Sequence, residues 1–147
     1  MIYLVLIPTA IMVISDFKHR EIVLWILSLF SILSVGAGIY SYGWKTVITN
    51  VAYNILLLSY LSIGLLSYLW IRNRRFTNPL KRHLGIGDML FILALTPLFG
   101  VREFLLFLLV SMISALVWWL ISGRQKTIPL VGVLGIVLGI YLMLYEH

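Results

Sequence analysis

Between its charged residues the sequence is a succession of six apolar runs: Ile2 to Ser15, Ile22 to Tyr40, Thr46 to Ile71, Leu84 to Gly100, Phe104 to Ser122 and Ile128 to Tyr145. A helix needs about 20 mostly apolar residues to cross a bilayer, so 147 residues allow these six crossings with short connections and leave nothing for a second folded domain. The composition agrees, with 62% hydrophobic and 11% charged residues and a mean hydropathy of +1.07. Ordinary soluble domains carry about 25% charged residues, which excludes a water-soluble globular fold. The expected fold is all-α and polytopic, a single transmembrane domain over residues 1–147 built as a bundle of six helices.

The charges give this bundle an orientation. The connections alternate between basic and nearly neutral, and the first, third and fifth carry nine Lys and Arg against two, Lys45 and Arg102, on the others. Basic residues collect on the cytoplasmic side of a membrane, so the N- and C-termini are expected on the non-cytoplasmic side. The net charge of +6 is therefore read as topology, with no nucleic-acid partner implied. Tyr40, Tyr42, Trp44, Trp118, Trp119, Tyr141 and Tyr145 lie near run ends, as interfacial aromatic belts do. Gly36, Gly38, Gly64, Gly132, Gly135 and Gly139 are positions where helices can approach closely. The largest connection, residues 72–83, contains Asn73, Asn78 and Pro79 and reads as loop. The absence of Cys excludes disulfides, thiolate metal centres and thiol catalysis. The N-terminal run has neither a basic leader nor a small-residue cleavage site, so it is expected to stay in place as the first span.

The chain has only two aspartates, Asp16 and Asp88, and both fall at the cytoplasmic ends of apolar runs. Asp16 precedes Arg20 by about 6 Å of helix and Asp88 follows Arg82 by about 9 Å, so the two acids lie at similar depth below one basic collar. An acid so placed is costly unless it faces a partner, the bundle interior or water. Asp16 alone also reads as a solvated boundary residue. Asp88 is harder to dismiss, because Gly85 and Gly87 precede it in a G-x-G-D segment that admits unusual dihedrals or a close second backbone. Two converging carboxylates share a proton, so that one activates water while the other protonates a leaving nitrogen. A helix restarting near Gly87 favours ionised Asp88 by its dipole, while Asp16 near a helix C-terminus is disfavoured as an anion. That contrast assigns Asp88 as base and Asp16 as acid, although the pair titrates jointly. Lys18 and Arg20 either orient the Asp16 carboxylate or contact lipid phosphates. His19 and His83 lack the spacing of metal ligands, so no metal or other cofactor is expected.

Three segments together resemble the type IV prepilin peptidase family of intramembrane aspartic proteases and its archaeal preflagellin relatives. They are S-D-F-K-H-R-E-I at Ser15 to Ile22, G-I-G-D at Gly85 to Asp88, and T-I-P-L-V-G-V-L-G at Thr127 to Gly135. The resemblance implies Asp16 and Asp88 as catalytic residues, with Gly85, Gly87, Lys18 and Arg20 as active-site or substrate support. It also implies cleavage of a basic leader from pilin-like precursors at the cytoplasmic face of the inner membrane, beside the substrate's own hydrophobic helix. The partners implied are those precursors, of type IV pilus or secretion systems, and membrane lipids. This chain departs from the family pattern at Leu90, where a polar residue is common, at Val23, where Pro is common, and at Gly132, where a second Pro closes the last motif. The zinc region and N-methyltransferase activity of larger members are not expected in a chain without Cys. A presenilin-like protease would need a Tyr before the first aspartate, where Ser15 stands, and more spans. The non-enzymatic alternative is a membrane carrier or assembly subunit that uses the two acids as a proton or ion site. Neither the substrate's identity nor the oligomeric state is legible.

Overall fold

The computed structural model describes residues 2–19, 24–73, 85–122 and 129–145. Within them every regular element is helical: α1 (Leu6–His19) after a 3-10 turn (Ile2–Val5), α2 (Leu24–Tyr42), α3 (Trp44–Asn73), α4 (Ile86–Leu95) leading into a second 3-10 turn (Thr96–Leu98), α5 (Val101–Ile121) and α6 (Leu130–Tyr145). Helices satisfy their own backbone polar groups, which lipid cannot do. The side-chain hydroxyls follow the same rule, Ser28, Ser31, Thr49, Ser59 and Ser114 each donating to the carbonyl four residues back. Three helices, α2, α3 over Trp44–Tyr68 and α5, are long and apolar enough to cross a membrane. They carry much of their apolar surface outward, with Trp25 87%, Tyr60 76% and Ile121 76% exposed. That is a surface for lipid, since a water-soluble protein would not leave so large a contiguous apolar area uncovered.

Two elements differ from the lengths read off the apolar runs. The fourth run, Leu84 to Gly100, is not one continuous α-helix, because α4 ends at Leu95 after 10 residues and Pro97 carries the chain through a 3-10 turn. The Pro97 ring has no N–H to give and crowds the preceding turn. The first run, conversely, does not stop at Ser15, since α1 continues through Asp16 to His19. Pro8 is tolerated there because it lies in the first turn of α1, where its missing N–H has no intrahelical role.

Successive helices run in alternating directions, as their contacts record. Phe30 stacks on Phe91, Ser34 Oγ donates to the Ala94 carbonyl, and Gly38 meets Pro97, so α2 and α4 run parallel. Leu6, Val13 and Phe17 of α1 face Gly139, Gly135 and Gly132 of α6, so this pair is antiparallel. Gly43, at φ +79°, makes the one-residue turn that reverses α2 into α3, a backbone region that only glycine enters freely. Phe99 is fully buried and touches the rings of Phe104, Phe107 and Tyr141, tying the turn after α4 to α5 and α6.

The glycines expected to mediate close packing divide. Gly38, Gly132 and Gly135 do so, whereas a Cβ on Gly36 or Gly64 would meet nothing within 4 Å. At Gly38 a Cβ would lie 2.5 Å from the Pro97 carbonyl oxygen, which is backbone and cannot swing away. Gly38→Ala should therefore push α2 off the 3-10 turn and cost about 1–3 kcal/mol by overpacking. Gly36→Ala should be neutral or slightly stabilising. Thermal unfolding of the two variants in one detergent makes the comparison, and equal midpoints would refute it.

Candidate active site

Asp16 occupies the last turn of α1 and is 6% exposed. Its Oδ2 accepts a hydrogen bond of 2.7 Å from the backbone N–H of Gly132 on α6. The first intrahelical bond of α6 runs from Val133 N–H to the Pro129 carbonyl. The Gly132 N–H therefore belongs to the opening turn, whose donors have no partner in their own helix. A carboxylate from another helix supplies one.

Asp88 is the third residue of α4 and is half-buried. Its Oδ2 accepts a bond of 3.2 Å from the Gly85 N–H. This is half of a capping box; glycine has no side chain to return the other half. Glu103 does the same for Gly100 at the start of α5, through a bond of 3.3 Å. The glycines before Asp88 thus act differently from the sequence expectation. Gly85 has φ −69° and ψ 142°, open to any residue, and Gly87 is ordinary helix. Gly85 instead gives room, because a Cβ there would sit 3.2 Å from Asp88 Oδ2. The segment lets the carboxylate fold back over its own helix start.

The two acids lie at the same end of the bundle, within electrostatic range of each other. They occupy the end of the bundle where α1 and α5 finish and α4 and α6 begin, marked also by the edge contact of Phe17 with Trp118 at 5.3 Å. The dipole contrast that separated base from acid is not present. Asp16 ends its own helix but sits on the N-terminus of α6, so both carboxylates receive a helix N-terminal N–H. Lys18 is exposed, and residues two apart on a helix do not share a face, so it points away from the side on which Asp16 is buried. Arg20, Ile22, Val23 and the loop residues 74–84 lie outside the described residues.

Gly132 is the site residue that the sequence did not single out as functional. Its signal was present in its place three residues after Pro129 and three before Gly135, the start of a helix and a small-residue face. A Cβ at 132 would lie 2.5 Å from the Phe17 ring, and one at 135 would lie 2.4 Å from Val13 Cγ2. An open groove of about 440 Å³ runs between α2, α3 and α4, lined by Leu24, Ser31, Ile55, Leu90, Ala94 and Pro97; neither aspartate lines it. Compared with protein-family models, with curated proteins and with solved structures, the chain matches none.

Proposed function

We propose that this protein is an intramembrane aspartic endopeptidase that removes the basic leader of type IV prepilin-like precursors at the cytoplasmic face of the inner membrane. The observation that carries the reading is the placing of the chain's only two aspartates, from α1 and α4, at one end of the bundle within electrostatic range of each other, with Asp16 buried among apolar helices. Burying one acid beside another is expensive, and peptide hydrolysis is a chemistry that uses such a pair. One carboxylate takes a proton from water as its oxygen attacks the scissile carbonyl carbon. The other gives its proton to the amide nitrogen as the C–N bond breaks, and the pair returns to sharing one proton.

The membrane arrangement proposed with it is six spans with both termini outside. It rests on the nine-to-two distribution of basic residues and on the alternating helix directions. A basic leader is repelled by that cytoplasmic collar. Recognition therefore relies on the substrate's apolar helix arriving through the lipid, and the open groove between α2, α3 and α4 supports lateral arrival.

The test is co-expression with pilin-like precursors, following leader removal by mass spectrometry for the wild type and for the Asp16→Asn/Asp88→Asn double variant. Cleavage at one bond next to the precursor's apolar helix is expected from the wild type, and none from the double variant. A wild type that leaves every precursor intact would transfer the two acids to the proton-site or ion-site reading.

A further inference from the structure

We propose that Gly132 is the positioning residue for Asp16, fixing the carboxylate of the first helix through its backbone N–H. The proposal rests on the peptidase reading for its catalytic meaning, but the interaction itself is independent of it. Three observations converge on this one residue. Its N–H donates to Asp16 Oδ2 at 2.7 Å, the length of a charge-assisted bond. It stands in the opening turn of α6, where the N–H has no helical partner and the helix dipole favours an anion. It has no side chain, and a Cβ would strike Cε2 of Phe17 at 2.5 Å.

The Phe17 ring stands edge-on to Trp118 of α5 at 5.3 Å and 77°. The carboxylate is thus set by an arrangement of three helices: α1 carries it, α6 donates to it, and α5 backs the ring beside it. A donor that costs no side-chain entropy holds the acid more firmly than a flexible side chain would. Among the described residues, Asp88 of α4 is the titratable group brought toward Asp16 from another element. On α1 itself Lys18 and His19 follow it, and the tyrosines of α2 and α6, Tyr40, Tyr42, Tyr141 and Tyr145, belong to the opposite ends of their helices.

Two variants in a Phe17→Ala background separate the N–H from the space around it. Gly132→Ala keeps the N–H, and Gly132→Pro removes it at a first-turn position where no intrahelical bond is lost. The Asp16 carboxyl band, identified by subtraction of an Asp16→Asn sample, is titrated by infrared spectroscopy in detergent without substrate. N–H donors favour the ionised carboxylate. The Asp16 midpoint should accordingly lie about one unit higher with Pro than with Ala, a tenfold change in proton affinity. In cleavage assays kcat should fall at least tenfold from Ala to Pro with KM unchanged, and the acid limb of the pH profile should move with the band. Equal midpoints in the two variants would overturn the proposal.

A second measurement avoids any variant at 132. The ¹⁵N-labelled Gly132 amide of the wild type should follow the Asp16 titration and lose that response in Asp16→Leu. An amide indifferent to Asp16 would overturn the proposal equally. Because both spectroscopic readouts need no substrate, a positive result with an inactive wild type would sink the peptidase reading and leave the positioning role standing.

Discussion

Asp16→Asn alone, or Asp88→Asn alone, should abolish leader cleavage as completely as replacing both, with a loss of about 10³-fold or more in each case. Residues that act as one unit are not additive. Once one carboxyl is gone, the other has no partner with which to split the tasks of taking and giving a proton. Asn is the informative replacement because its amide oxygen still accepts the Gly132 N–H at position 16 and the Gly85 N–H at position 88. Both variants should therefore insert and melt like the wild type. Asp16→Leu is the contrasting change. It leaves a buried N–H at the head of α6 without an acceptor and should cost about 1–3 kcal/mol of stability in addition to activity. Quantitative mass spectrometry of the released leader, beside thermal unfolding in the same detergent, gives both numbers. More than about one per cent of wild-type cleavage in either Asn variant would show that the two acids do not act as a pair.

The second large effect concerns stability and lies away from the carboxylates. Asn54, in the middle of α3, is fully buried, and its Nδ2 donates to the carbonyls of Thr96 at 3.0 Å and Phe99 at 2.9 Å. Those carbonyls are left over where Pro97 stops α4, so one amide group from α3 closes the break. Asn54→Leu keeps the branched skeleton and removes both donors. It should destabilise the protein by about 2–4 kcal/mol, the cost of two buried acceptors losing partners. The loosened segment carries Gly100 and the start of α5, so faster amide exchange over residues 96–104 should accompany the lower midpoint. The Asn54 Oδ1 has no hydrogen-bond partner among the described residues. The side chain is therefore placed for what it donates. An unchanged midpoint in Asn54→Leu would mean that the turn holds itself.

The helical class, the six helices among the described residues and the placing of Asp16 and Asp88 at one end of the bundle were legible in the sequence, because each leaves a one-dimensional trace. Apolar runs, alternating charge and the rarity of aspartate are all countable. Long-range features were less visible. What holds the end of α1 past its apolar run is not local, since Asp16 and Phe17 pack on α6 from the far end of the chain. The Gly132 donor and the Asp16 acceptor are 116 residues apart, so no local pattern joins them. Asn54 shows in sequence only as one polar residue in an apolar run, and its partners are main-chain carbonyls that any residue type could bring. Pro97 was the readable exception. A proline within an apolar run ends a helix for local reasons, and the short α4 follows from it.

The bond between Gly132 and Asp16 also bears on the order in which the protein is assembled during its own synthesis. α6 is the last of the described helices to leave the ribosome, so the carboxylate made almost first waits for a donor made almost last. Until then a nascent chain holds both aspartates yet lacks the main-chain group that donates to one of them, and docking of α6 is the step that supplies it.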